Sequence, residues 1–128
     1  MIIRKMDELS NDGRSIEWGN GQSHRFLVEK DGMGYSLTET HINPNTSSTL
    51  EYKNHLESCY CIGGGGKVVD DQTGEEHEIK AGTMYALDKH DRHQLVAGED
   101  GMRLVCMFTP ALRGNEVHKL NADGSSSY

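Results

Sequence analysis

The sequence predicts an all-β fold, an antiparallel barrel or sandwich, on three observations. Turn signals recur at short intervals: Asp31-Gly32, Asn43-Pro44-Asn45, Gly63 to Gly66, Asp71-Gln72-Thr73-Gly74, Asp88 to Asp91 and Gly98 to Gly101. The segments between them are short and rich in β-branched, aromatic or alternating residues. None sustains a helical apolar period of about 3.6 residues over roughly ten positions, so no amphipathic helix is expected.

Taken in order, the expected strands are HRFLVEK, MGYSLTETHI, STLEY, LESCYCI, KVVD, EEHEI, TMYAL, RHQLVA and MRLVCMF. KVVDDQTGEEHEI reads as a hairpin about a polar turn, and TMYALDKHDRHQLV as a second one about Asp88 to Asp91. The run Gly63 to Gly66 lacks the following Lys-Ser/Thr and the helix of a phosphate loop, so it is expected to be a plain turn.

With 128 residues and 34% hydrophobic content, the chain can build one modest core, and a single domain over residues 1–128 is expected. Residues 111–128 turn polar and finish in a Gly/Ser tail, a candidate lid with a mobile end. No apolar run approaches the ~20 residues of a membrane span and the start lacks a secretory h-region, so a cytoplasmic protein without membrane contact is expected. Cys59, Cys61 and Cys106, an odd count inside apolar runs, fit reduced, packed thiols. A net charge of -7 without a basic stripe argues against nucleic acid as a partner.

Strand alternation puts His55, Glu57, Cys59 and Cys61 on one face and Leu56, Ser58, Tyr60 and Ile62 on the other. Both faces are partly apolar, which implies burial on both sides, the second against another sheet or a partner chain. A histidine and a carboxylate on an inner face are costly unless paired, hydrogen-bonded or metal-bound. Glu57 and Cys61 stand ~13 Å apart along a strand and cannot easily share an ion, so the cysteine pair 59 and 61 reads as packing.

Fixed spacings sharpen this. Glu57 with Gly64 resembles the end of the first cupin motif, and Gly82 with His93 falls in register with the second. The two histidines that family places before the glutamate are missing, since Leu50 to Lys53 holds none. Tyr85 is the best replacement, because a short turn would bring it across a hairpin from His93. Glu57, Tyr85 and His93 offer two hard oxygens and one borderline nitrogen, which favours iron as Fe2+, with Mn or Zn as the other ions such a set takes.

Along nearly its whole length the chain resembles the ectoine synthase family of cupin enzymes. The resemblance is carried by the MIIR start, Lys30 to Gly34, Tyr52 to Ser58, Gly82 to Leu87 with Asp88 to His93, and Gly114 to His118. It implies an iron ion on Glu57, Tyr85 and His93, and ring closure of N-γ-acetyl-L-2,4-diaminobutyrate to ectoine with loss of water. By position it implies a substrate pocket including Arg25, Thr40, Leu87, Phe108, Glu116 and His118. Within it Arg25 would face the carboxylate and Glu116 or His118 the amine, while Tyr52 and His55 would carry protons. It also implies a homodimer. The chain departs from the family at Trp18, which stands seven residues before Arg25, and at Thr109-Pro110-Ala111. Readings from other classes are a non-catalytic small-molecule-binding cupin, and a cupin acting on another amide-bearing amino acid or hydrolysing ectoine.

Overall fold

The computed structural model describes residues 1–116, and among these the chain is antiparallel sheet with two 3-10 turns, Met6–Glu8 and Glu29–Asp31. The strands are β1 (Ser15–Glu17), β2 (Gly21–Leu27), β3 (Ser36–Ile42), β4 (Ser47–Leu50), β5 (Leu56–Asp70), β6 (Glu76–Lys80), β7 (Met84–Leu87) and β8 (His93–Thr109). Their order is β1-β2-β3-β8-β5-β6, with β4 added on β8 and β7 on β5. The expected all-β class is the one observed.

β5 and β8 run antiparallel along their whole lengths, and each belongs to two arms of the sheet. The first half of β5 pairs with the second half of β8 and with β7; the second half pairs with the first half of β8 and with β6. β3 and β2 extend one arm from β8, and β4 extends the other. Side chains from both arms, among them Cys59, Leu104 and Phe108 on one and Val68, Ile79 and Leu95 on the other, meet in one apolar cluster. Apolar burial of this kind, at roughly 25 cal/mol per Å², is what holds two such layers together.

Two expected turns are therefore corrected. Gly63 to Gly66 and Gly98 to Gly101 both lie inside strands, at the bend of β5 and β8, where the register shifts between Cys61 and Gly63 and again between Gly64 and Gly66. Glycine is needed there for backbone approach: a Cβ on Gly66 would stand 2.0 Å from the carbonyl oxygen of Val96. Gly64 also has φ +66, a conformation that disfavours any side chain. The KVVDDQTGEEHEI hairpin forms as β5 and β6, Val69 opposite Glu76. The second expected hairpin does not: β7 pairs with β5, while the start of β8 pairs with β4 and the end of β5. The start of β8 already has both edges taken, by β4 and by the end of β5, so β7 adds instead to the edge of β5 at Glu57 to Tyr60.

The segment before β1 is tied down by charge. Arg4 and Arg14 reach Asp31 at 2.8 and 3.1 Å, and the Val28 N–H donates to the same carboxylate at 2.9 Å. Burial pushes Asp31 up, but the Val28 N–H and the two guanidinium groups outweigh it and hold the carboxyl at about 2. The tail begins anchored: Leu112 is fully buried in the core and its carbonyl accepts from the Glu29 N–H at 2.7 Å. Residues 117–128, with His118 and the end expected to be mobile, lie outside the described residues. Among the described residues no helix is long and apolar enough to cross a membrane.

Candidate functional site

Register decides which inward side chains become neighbours across the sheet. Leu87, Glu57, Phe108 and Ser36 form one row over β7, β5, β8 and β3. The next row is Tyr85, Cys59, Cys106, Thr38 and Arg25, reaching β2. A third contains Cys61, Leu104, Thr40 and Ser23. Successive rows are two residues apart along each strand, so all of these side chains share the inner face. The expected Glu57, Leu87 and Phe108 thus share one row, Tyr85 and Arg25 the next, and Thr40 the third.

Glu57 is buried, and burial first, then the neighbouring Cys106, raises its carboxyl well above the usual range. Burial, followed by the Cys59 and Glu57 charges, likewise raises the Tyr85 phenol. The Cys59 and Cys106 sulfurs stand 3.4 Å apart. The pair shares its protons unequally. Burial raises Cys59 well above its ordinary value, whereas hydrogen bonding with Cys59 lowers Cys106, helped by Thr40. Burial is the first cause for Glu57, Cys59 and Tyr85, and hydrogen bonding from Cys59 to Glu57 and from Tyr85 to Cys59 offsets it only in part.

His93, 1% exposed, begins β8. Its Nδ1 lies 2.9 Å from the Asp91 carbonyl, which can only accept, so Nδ1 carries the proton and Nε2 the lone pair. Nε2 is buried and has no hydrogen-bond partner among the described residues. Burial lowers the His93 pKa, keeping the ring neutral and the lone pair available. The His93 ring lies 6.4 Å from that of Tyr85 and 5.7 Å from that of Tyr52, centroid to centroid. Tyr85 and His93 are therefore neighbours, although β5 brings them together and not the expected hairpin.

A buried carboxylate, a partly buried tyrosine and a neutral imidazole whose lone pair has no partner among the described residues fit a hard or borderline cation by donor chemistry. Among the described residues, the His, Cys, Asp and Glu ligand atoms that gather within 4.8 Å of one another belong to Glu57, Cys59 and Cys106. The sequence reading placed Cys59 on the inner face but treated it as packing. Cys106 could have been found only from the β5–β8 register.

Tyr52 and His55 come from the loop joining β4 to β5. Tyr52 is buried with its ring 5.4 Å from Phe108, edge to face. His55 is half-buried, its Nδ1 donating to the Pro110 carbonyl at 2.7 Å, which leaves Nε2 as the basic nitrogen. His90, expected as solvated or capping, has φ 55 and lies with Nδ1 2.8 Å from the Tyr52 carbonyl and 3.1 Å from that of His55. It is exposed and caps the loop that carries Tyr52 and His55, in keeping with that expectation.

Arg25 is fully buried, with Nε 3.3 Å from Ser23 Oγ, and it donates to the Glu116 carbonyl oxygen. Its second guanidinium nitrogen lies 3.7 Å from the Glu116 carboxylate. That carboxylate also accepts from the N–H groups of Arg113 and Gly114 at 2.8 and 2.9 Å. Burial pushes Glu116 up, and the two N–H groups outweigh it, so its carboxyl lies below the ordinary value. Two clefts open near these groups. One of about 630 Å³ is lined by Asn54, His55, Pro110 and Glu116, and one of about 610 Å³ by Tyr85, Leu87 and His93.

A family model described as ectoine synthase matches residues 1–127. The L-ectoine synthase of Desulfosudis oleivorans is 45% identical over 125 residues, covering 98% of this chain and 95% of that protein. That of Alkalilimnicola ehrlichii is 47% identical over 118 residues, covering 92% and 89%. The crystal structure of ectoine synthase from P. lautus superposes with a TM-score of 0.84 at 42% identity, covering 89% of this chain and 81% of that one.

Proposed function

The chain belongs to the ectoine synthase family, a cupin fold with hydro-lyase activity, and on that premise we propose that it closes N-γ-acetyl-L-2,4-diaminobutyrate to ectoine on a metal centre. The observation that carries the metal centre is the His93 Nε2, a buried lone pair without a hydrogen-bond partner among the described residues, beside Tyr85 on an inner face that also holds Glu57. Glu57, Tyr85 and His93 would hold the ion, iron by preference, with Mn or Zn as alternatives. Bound there, it would supply a Lewis acid for the acetamide carbonyl.

The chain's own residues do the rest. Arg25 is a buried cation whose present counter-charge is Glu116. We assign the substrate carboxylate to Arg25 in exchange, which frees Glu116, and His118 from outside the described residues, to receive the α-amine. The His55 Nε2 takes a proton as the amine nitrogen bonds to the acetamide carbon. His55 passes that proton to the former carbonyl oxygen, Tyr52 relays the second nitrogen proton to the same oxygen, and it leaves as water while the new C–N bond becomes the C=N of a cyclic amidine. Thr40, Leu87 and Phe108 wall the pocket and favour the bent conformer, which converts a flexible chain into reacting neighbours.

The outer face of β5, β7 and β8 supports a homodimer, because Leu56, Tyr60, Ile62, Met84 and Met107 are all exposed there. Three free, buried thiols support a reducing compartment, as in the cytoplasm. The deciding experiment is anaerobic loading with Fe2+ followed by incubation with the acetylated diamino acid. Ectoine should accumulate with one water lost per turnover. A thermal shift on adding the substrate, with no product formed, would instead mark a non-catalytic binder.

A further inference from the structure

We propose that Glu57 serves a second ion position, formed with Cys59 and Cys106, that takes a thiophilic divalent cation such as Zn2+, Co2+ or Cd2+. The two sulfurs are 3.4 Å apart, and both lie within 4.8 Å of a Glu57 carboxylate oxygen. A tetrahedral ion with bonds of about 2.3 Å to sulfur and about 2.0–2.2 Å to oxygen spaces its ligand atoms about 3.5–3.8 Å apart, close to the sulfur separation and reached by Glu57 with a small side-chain adjustment. The arrangement follows from register: Cys59 faces Cys106 across β5 and β8, and Glu57 is the next inward residue. Cys61, one step further along, directs its thiol to the Gly63 carbonyl at 3.3 Å and takes no part.

A second, independent observation comes from the hydroxyls beyond Cys106. Thr38 stands opposite Cys106 across β3 and β8, is 1% exposed, and its hydroxyl has the Cys106 sulfur as its neighbour, hydrogen bonding that helps to lower that thiol. The Thr40 Oγ1 lies 3.7 Å from the Cys106 sulfur. A thiolate accepts hydrogen bonds well and a thiol poorly. Two buried hydroxyls beside one sulfur are the outer-shell donors a metal-bound thiolate uses. Binding releases both thiol protons, together with the carboxyl proton of Glu57 when it is held, and the ion takes their place without any redox change.

Softness separates the two positions. Thiolates favour Zn2+ and its heavier analogues, whereas the oxygen and nitrogen set favours iron. Since both use Glu57, a soft ion on the thiols withdraws that carboxylate from the other set. This competition, though not the thiol position itself, rests on the ring-closing reading.

The test is a Co2+ titration of the full-length chain, reduced and stripped of metal, followed by thiolate-to-cobalt charge-transfer absorption in the near ultraviolet. The band should saturate at an equimolar amount of ion, vanish in Cys59→Ser and Cys106→Ser, and persist in Cys61→Ser and Tyr85→Phe. No band in the unmodified chain, or an undiminished band in both Cys59→Ser and Cys106→Ser, overturns the proposal. The unmodified chain decides even if a variant does not fold. Ectoine formation by the iron-loaded chain without a cobalt band sinks the thiol position alone, and a band without ectoine sinks the ring-closing reading alone.

Discussion

Two carboxylates in this molecule, both shielded from bulk water, have opposite fates. The Asp31 side chain lies near the surface against its partners, whereas Glu57 is buried deep on the inner face of the sheet. Asp31 receives two guanidinium groups and a backbone N–H, and its carboxyl is held at about 2. Glu57 receives two thiols and a phenol as neighbours, and its carboxyl is driven well above the usual range, by burial first. A buried acid supplied with its own cations is a fastening. One placed among other acids is destabilising unless a cation arrives from outside.

The sharpest way to break this comparison is Glu57→Gln, which keeps the shape and removes the charge. Turnover of acetylated diaminobutyrate by the iron-loaded variant should fall by about a thousandfold or more, equivalent to about 4 kcal/mol of barrier. The metal-free variant should melt no lower than the metal-free parent, because it no longer buries an unrelieved acid. A variant that melts well below the parent would make Glu57 a structural residue after all.

Asp31→Asn is the complement. It leaves Arg4 and Arg14 without their shared counter-charge, and stability should drop by about 3 kcal/mol, read from urea unfolding. Turnover at ambient temperature should change little. Acid supplies a milder version of the same test. The folded-state carboxyl sits at about 2, below its ordinary value near 3.8, so its contribution is complete above about 4 and disappears as the pH falls towards 2. Acid unfolding followed by circular dichroism should therefore steepen in that window for the parent and flatten there in Asp31→Asn.

The contrast also marks what could be read from the sequence. Alternation alone put Glu57, Cys59 and Cys61 on one face, and two of the three proved to be site neighbours of Tyr85, because a period of two survives any choice of partner strand. The glycine run misled, since glycine usually punctuates. Here it permits two strands to pass within backbone contact at a shared bend, a reason visible only once Val96 is opposite Gly66. Cys106, Thr38 and the Arg25–Glu116 pair depend on register over long sequence separations, which no local pattern encodes. Tyr85 and His93 were rightly expected to be neighbours, but through the wrong strand pairing.

The smallest expected effect concerns the loop that presents Tyr52 and His55. His90 holds φ 55, where a non-glycine residue is uncommon, and its Nδ1 lies within hydrogen-bond reach of the carbonyls of both residues. One N–H shared between two acceptors fixes the loop without touching the substrate. Removing it frees the loop by about 1 kcal/mol, a several-fold loss in turnover rather than a collapse. His90→Ala should therefore lower kcat by about fivefold while the melting temperature and the bound iron stay close to the parent's. His90→Asn should recover much of the loss, since asparagine tolerates the left-handed conformation and retains a donor. If alanine and asparagine behave alike, the imidazole holds nothing in place. The precision of Tyr52 and His55 would then come from their packing on Phe108.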